Sequence, residues 1–370
     1  MGMSFSIPFR PVERVYSGPG ALLAASRLPA VRRLVVLSRS AGAGLEDSLA
    51  KTMKCHRLSF IYKTWPGEPE LSDVEALAGE MEKAAPDNVV AVGGGSLIDA
   101  VKAARALYEH PDLGWEKLRR PFSLPKCLKS VLTAVPTTIG AGAEASSSAV
   151  LKDGGRKCFI VSHELLPSAA VLDPALVAVL PPAVRLATLA DALTHALEAY
   201  VSSLPQLQAR DCAALAVGLI AANRAAAGEP GEFEPRAASD LQRAALYAGY
   251  AQNHCLVGAA HALAHVAAEN GVEHGLANAF YLPAVIETNA EDENVRRAYV
   301  RLAARAGLAG GLEALLALVR EISGAAVGAR RPGRLTSEQL RRAAGDPGGR
   351  ANPRPLSEEF LTGIEALAHA

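Results

Sequence analysis

The run Val89-Val90-Ala91-Val92 passes without a break into Gly93-Gly94-Gly95-Ser96 and then into a segment with helical periodicity beginning near Leu97. Consecutive apolar, mostly β-branched residues read as a strand buried on both faces, which belongs to parallel sheets covered by helices. The glycines remove the Cβ atoms that would keep an approaching group off the backbone. The helix start beyond them offers unpaired N–H donors and a partial positive charge. The stretch therefore asks for a parallel α/β sheet with an anion cradle at the carboxyl end of one strand. Taken alone, a glycine triplet serves a tight strand-to-helix turn equally well. A second loop, Pro136-Thr137-Thr138-Ile139-Gly140-Ala141-Gly142, also follows a strand and adds hydroxyls to glycines. Two such loops on one sheet edge point to a dinucleotide.

The flanking sequence extends this pattern. Strands at 34–37, 89–92, 131–135 and 170–172 alternate with amphipathic runs such as 71–84, for which Ser72 with Glu75 three residues on supplies a capping pair. Beyond Pro181-Pro182 the strand-like runs nearly vanish. Ala, Leu, Glu and Arg then dominate in long helical stretches, broken near 228–231 and 328–333 by Gly, Pro and Arg. The expectation is a doubly wound α/β dinucleotide-binding domain over 1–181 and an all-α, metal-binding domain over 182–370. A chain of 370 residues, half of them apolar, is long enough for two such cores. A site formed by both would lie in the cleft between them.

Charge and composition narrow the partners. Lys and Arg total 38, as do Asp and Glu, so no excess of either sign recruits nucleic acid. No stretch reaches the roughly 20 apolar residues of a membrane span, and the start MGMSFSIPFRPVERV lacks the apolar core of a signal peptide. The five cysteines are odd in number and never spaced as CxxC, which fits a reducing compartment. A cytoplasmic enzyme acting on a small molecule, with no membrane and no nucleic-acid partner, is the expected class, and a homodimer is compatible with it. Gly2 and Ser6 satisfy the N-myristoylation pattern, which is loose enough to match by chance.

The strand at 34–37 ends in Ser38-Arg39-Ser40, where a cofactor without a 2′-phosphate usually meets a carboxylate on its ribose. No acid stands there. Small polar residues beside an arginine accept a phosphate instead, so Ser38 and Arg39 tilt the reading from NAD towards NADP, with a solvated loop charge as the alternative.

In Asp191-Ala-Leu-Thr-His195 the acid and the imidazole stand at i and i+4, on one helix face, where both can reach a single ion. His261 and His265 repeat the spacing, and His274 follows from a Gly-containing turn. A carboxylate with three imidazoles suits a divalent first-row transition ion such as Fe(II) or Zn(II) much better than Ca(II) or Mg(II). Each residue has a plain reading too, since Asp191 can cap a helix and a lone histidine on an Ala/Leu face is commonly a satisfied core residue.

Segments along nearly the whole chain resemble the iron-containing alcohol dehydrogenases of the dehydroquinate synthase-like superfamily. They include GGGSLIDAVKAAR at 93–105, PTTIGAGAE at 136–144, LDP at 172–174, DALTHALEAYVS at 191–202, GAAHALAH at 258–265, HGLANAFYLPAVIETN at 274–289 and ANPRPLSEE at 351–359. The resemblance implies metal ligands at Asp191, His195, His261 and His274, a near-ligand histidine at His265, and NAD(P) contacts at Gly94, Gly95, Ser96, Asp99, Thr137, Thr138 and Lys157. Ala141 and Ala143 stand where the family usually has Thr and Ser. The segment from His265 to His274 is one residue short, with Glu273 in place of Pro. Gln252 occupies a position that is commonly Phe beside the nicotinamide and substrate, and His254 one that is commonly Asn. These last two point to a polar or anionic substrate.

The implied chemistry is metal-assisted hydride transfer, with His265 relaying the hydroxyl proton. The same resemblance admits a dehydroquinate synthase-like lyase or cyclase that returns its hydride, oxidation of a β-hydroxy acid followed by decarboxylation, and a phosphonoacetaldehyde-type reductase. A catalytically silent nucleotide-binding scaffold is the non-enzymatic alternative.

Overall fold

The computed structural model describes residues 8–26, 28–39, 44–53, 55–204 and 206–370. Gly2, Ser6 and Ser40 of the sequence readings lie outside the described residues. Within them the strands are β1 (Arg14–Ser17), β2 (Arg32–Leu37), β3 (Arg57–Tyr62), β4 (Asn88–Gly93), β5 (Val131–Pro136), β6 (Ser148–Asp153), β7 (Arg156–Val161) and β8 (Ala169–Leu172). Six of them form one sheet in the order β1-β8-β5-β4-β2-β3, every neighbouring pair parallel. The chain runs outward from β2 to β3 and then steps back to place β4 on the other side of β2. A topological switch of this kind opens a crevice at the carboxyl ends of the strands beside it.

The register makes that crevice level. Leu37 pairs with Val92 and Gly93 with Pro136, so the loops after β2, β4 and β5 leave the sheet together. Ser38 N–H donates to the Val92 carbonyl (2.9 Å) and Thr137 N–H to that of Gly93 (3.0 Å). Every residue of β4 is buried, as its unbroken apolar run requires between two helical layers. Helices Leu71–Ala84 and Gly95–Glu109 cover one face of the sheet.

Two local expectations change. Helix Leu71–Ala84 is capped by Glu70, not Ser72: Glu70 has an extended backbone, and the Asp73 side chain accepts from its N–H (2.9 Å) in a reciprocal capping box. Ser72 is already inside the first turn, and Glu75 instead accepts from the Trp115 indole (2.5 Å). The helix after the glycines begins at Gly95 with Gly94 as its cap, two residues before Leu97. Strands β1 and β3 and the antiparallel hairpin β6–β7 are additions to the sequence reading. The hairpin turns through Gly154 and Gly155, at φ 58° and 80°, the two positive values that a tight two-residue turn needs.

From Pro182 onward the described residues contain helices and their connections. Pro181 caps the 20-residue helix Pro182–Val201, and the breaks expected at 228–231 and 328–333 fall between helices. A continuous apolar core joins helices Pro182–Val201, Leu207–Gly228, Pro235–Cys255, Ala259–Ala267, His274–Asn289 and Gly311–Val327.

Candidate metal centre and dinucleotide cleft

Helix Pro182–Val201 is buried at every residue from Leu189 onward, which makes its polar members conspicuous. Asp191 and His195 stand one turn apart on it. His261 comes from helix Ala259–Ala267. A single 3₁₀ turn, Ala268–Asn270, and Gly271 at φ 79° then bring the chain back, so that His274 opens helix His274–Asn289. The shortened turn thus returns His274 to the cluster. Oδ1 of Asp191 lies 3.7 Å from Nε2 of His261 and 3.6 Å from Nε2 of His274. Donor atoms of Asp191, His261 and His274 all fall within 4.8 Å of one another, a separation one ion can bridge. His195 stands outside this tightest trio, its ring centre 4.4 Å from that of His261.

Nδ1 of His195 and Nε2 of His261 are buried without a hydrogen-bond partner, a costly state for an imidazole nitrogen unless something else occupies its lone pair. Burial raises the Asp191 carboxyl, but His195, His261 and His274 outweigh it and hold the group well below the usual carboxylate range. Burial lowers His195 to about 4, and burial with the Lys157 ammonium drives His274 well below its ordinary value. An ionised acid facing neutral imidazoles is the protonation state that a transition ion takes up. His261 is the exception: against burial, Glu198 and Asp191 push it up to about 9. The two carboxylates around that ring call for a positive charge, which an ion supplies as well as a proton.

Three supporting residues escaped the sequence reading. Glu198 accepts from His261 Nδ1 (2.6 Å) and from the N–H groups of Gly258 and Ala260 (both 2.7 Å), fixing the ring and the start of its helix together. Its signal was legible: Asp191, His195 and Glu198 fall at i, i+4 and i+7 on an apolar helix. Asn278, one turn after His274, donates to Asp191 Oδ1 (2.9 Å). Asp346, from the far C-terminal part, sits 2.7 Å from Nδ1 of His265. Burial raises Asp346, but its bond to His265 overrides this and keeps it low, while His265 itself is lowered chiefly by burial.

Across the cleft, Gly94, Gly95 and Ser96 are half-buried at the start of the 15-residue helix Gly95–Glu109. A Cβ on Gly94 would meet Thr138 Cγ2 at 3.3 Å, so the two loops line one groove in which any larger residue would intrude. Thr137 is buried beneath. Lys63, at the end of β3, brings an ammonium to this groove: its Nζ donates to Ser96 Oγ (2.7 Å) and to the Gly67 carbonyl (2.8 Å). Arg39 lies over the Tyr62 ring (5.8 Å), and the Tyr62 hydroxyl is bonded to Glu46, the nearby acid. Lys157, on the hairpin, pairs with Glu68 (2.7 Å) and stands 3.5 Å from Nδ1 of His274, at the boundary between groove and metal cluster.

Two sequence-assigned residues, Asp99 and His254, make structural bonds of their own. Asp99 accepts from Lys102 (3.4 Å) and from Val150 N–H (3.1 Å), tying the helix to the hairpin. His254 is buried, with Nδ1 against the Tyr250 carbonyl (2.8 Å), Nε2 accepting from Arg10 N–H (2.9 Å) and Phe9 stacked on its ring (4.6 Å). Nε2 is spent on holding the N-terminal segment and Nδ1 on its own helix, so His254 has no polar atom left for a substrate. Gln252 is half-buried one turn after Gly249. There, a Cβ on Gly142 of the second loop would sit 2.5 Å from the Gly249 Cα, which fixes Gln252 close to that loop.

A switch-point sheet facing an acid-and-imidazole cluster defines the class of protein as one able to set a dinucleotide against a metal ion. Residues 12–174 match the family described as iron-containing alcohol dehydrogenase, and 185–326 match the C-terminal part of the Fe-containing alcohol dehydrogenase family. An alcohol dehydrogenase of Thermococcus barophilus is 35% identical over 264 residues, 70% of this chain and 68% of the relative. An NADPH-dependent butanol dehydrogenase of Clostridium saccharobutylicum is 31% identical over 333 residues, 87% of this chain and 84% of the relative. The solved iron-containing alcohol dehydrogenase of Thermococcus thioreducens superposes with a TM-score of 0.87 at 29% identity, covering 98% of this chain and 99% of that one.

The chain belongs to the iron-containing alcohol dehydrogenase family. It is accordingly an NAD(P)-dependent, metal-dependent alcohol/aldehyde oxidoreductase, and the silent scaffold is set aside. No helix among the described residues is long and apolar enough to cross a membrane.

Proposed function

We propose that the chain interconverts a small polar or anionic alcohol and its aldehyde or ketone with NADP, using one Fe(II) or Zn(II) ion held by Asp191, His195, His261 and His274. The observation that carries this is the convergence of Asp191, His261 and His274 donors within 4.8 Å, with Asp191 on the helix that the second cofactor loop abuts through Gly140 and Thr188. When bound, the ion would supply Lewis acidity and the nicotinamide a hydride donor or acceptor. The chain's own work is positioning. Glu198 and Asn278 hold the ligand set. Gly94, Gly95 and Ser96 receive the diphosphate on backbone N–H groups, Thr137 and Thr138 line the opposite side, and Lys63 adds a cation. Lys157 faces both the cofactor and the substrate end. His265 takes the hydroxyl proton during oxidation and returns it during reduction.

Ser38 and Arg39 at the end of β2 support NADP, since Glu46, the first acid in sequence after the strand, is engaged by Tyr62. The relative described as NADPH-dependent agrees with this. Gln252 supports the polar substrate. His254 does not, because of its packing role. The five cysteines, all unpaired, support a cytoplasmic setting. The outer side of β1 at the edge of the sheet supports a homodimer formed by edge pairing, and a monomer in light scattering would refute it.

Purified protein carrying about one equivalent of iron or zinc, and lacking it after Asp191→Asn, is the expected metal result. An aldehyde and alcohol screen with both cofactors tests the rest. Arg39→Ala should raise KM for NADP about tenfold and leave NAD nearly unchanged, whereas Lys63→Met should weaken both, because only the 2′-phosphate distinguishes them. Equal use of NAD and NADP by the parent enzyme would remove the Arg39 assignment.

A further inference from the structure

His265 follows His261 by one turn on helix Ala259–Ala267. Its ring stacks on that of His274 (centres 5.4 Å apart, planes at 11°) and rests against Phe159 (5.2 Å). Nδ1 of His265 lies 2.7 Å from Oδ2 of Asp346, and the two side chains are 10% and 8% exposed. The other carboxylate oxygen is committed: Oδ1 accepts from the N–H groups of Gly348 (2.8 Å) and Gly349 (3.2 Å). An ionised carboxylate only accepts, so in a neutral imidazole the proton of this bond must reside on Nδ1.

We infer that Asp346 is the positioning residue that locks His265 in the Nδ1–H tautomer, leaving Nε2 as the acceptor for the substrate's hydroxyl proton. This rests on the proton-relay role proposed above for His265. In the oxidation, the C–H bond breaks with both electrons passing as hydride to nicotinamide C4, while the O–H proton passes to Nε2. The products are a carbonyl compound, the reduced dinucleotide and an imidazolium paired with the Asp346 carboxylate, which then gives its proton to solvent. Glu198 makes the same kind of bond to His261, but Nε2 of that ring points into the ligand cluster. Asp346 serves the one imidazole of the group that is left for proton transfer.

The anchoring of Oδ1 makes Asp346→Asn a sharp probe. Its amide oxygen is needed by Gly348 and Gly349, so the NH₂ group must face His265, where it donates. The ring can then only accept at Nδ1 and must carry its proton on Nε2, the wrong nitrogen for receiving another. With general base catalysis contributing 10²–10⁴, the expected result is a fall in kcat of about a hundredfold or more, with KM for the dinucleotide within about twofold and metal content unchanged. Wild-type kcat, or loss of the ion, would overturn the inference.

A second measurement needs no variant that could misfold. Long-range ¹H–¹⁵N correlation on the Zn(II)-loaded parent enzyme reads the tautomer of each histidine directly, and His265 must show Nδ1–H with an unprotonated Nε2. Finding Nε2–H there refutes the role of Asp346 whatever the activity. A parent enzyme without alcohol or aldehyde turnover refutes the proposed function instead, and the tautomer in the same sample still decides Asp346.

Discussion

A single buried acid outside the metal cluster carries a pH signature of its own. Glu144, in the short turn after the second cofactor loop, is 2% exposed and its Oε1 has no partner. Burial pushes its carboxyl up to about 7 from an ordinary 4.5, with a backbone bond and Lys102 only partly opposing. The folded protein therefore binds more protons than the unfolded chain between these values. Its stability contribution is intact below pH 4.5 and is lost as pH rises through 7, at a cost of about 3 kcal/mol once both states are ionised. Glu144→Gln removes the titration, so its melting temperature should gain on the parent as pH rises from 5 to 8. Parallel curves across that range would show that the carboxyl ionises freely. At this scale the sequence revealed what local spacing encodes. Asp191 with His195, and His261 with His265, are paired by helix geometry, and Glu198 could have been read the same way. Asp346 joins His265 across 81 residues and Lys63 joins Ser96 across 33, with no pattern to announce either. His254 shows the converse limit: spacing gives a helix face, but not that Arg10 and Phe9 would cover it.

Between elements, the approach of helix His274–Asn289 to helix Pro182–Val201 sets the spacing of the proposed metal donors. Gly275 is pressed against the Ala187 carbonyl oxygen, and a Cβ there would also meet Asp191 Cβ at 3.6 Å. Backbone atoms cannot yield as a flexible side chain does, so Gly275→Ala must tilt the helix start away and carry His274 with it. Metal affinity should drop about tenfold or more, the scale of losses seen when the support of a ligand is disturbed, while dinucleotide affinity holds. Metal titration and a cofactor-fluorescence titration on the same sample check both halves of this expectation. Metal affinity equal to the parent's would mean that the cluster tolerates the shift. The central strands and long helices were legible because burial on both faces and 3.6-residue periodicity repeat over many residues. Strand β1 spans only Arg14–Ser17 with exposed ends, and β3 mixes polar and apolar residues, so neither carried enough pattern. The hairpin was signalled only by Gly154-Gly155, yet it delivers Lys157 and Phe159 to the cleft.

For the whole molecule, an ion at the proposed cluster and a dinucleotide in the glycine groove would load opposite walls joined by the second cofactor loop, through Gly140 against Thr188 and Gly142 against Gly249. The proposed donors come from helix Pro182–Val201 and from the consecutive helices Ala259–Ala267 and His274–Asn289 well beyond it in sequence, so unfolding disperses the site and an ion that binds only the folded state must stabilise it. The linkage is RT ln(1 + [L]/Kd), about 4 kcal/mol at a thousandfold excess over Kd. With an unfolding entropy of about 2 cal/mol/K per residue, that shifts a cooperative transition of this size by about 5 °C. Chelation should therefore lower the melting temperature by that amount, and Fe(II) or Zn(II) should restore it. NADP should still raise the melting temperature of the chelated protein, because its groove is built from the sheet loops and Lys63 and needs no ligand from the cluster. If the ion and NADP bind independently, their stabilisations add; if the shared loop couples them, both together exceed the sum, and each tightens the other's binding by the same factor. Thermal melts of the four states, with metal content measured in each, distinguish these outcomes. Identical melting temperatures with and without a verified ion would remove the cluster as a binding site in the folded chain.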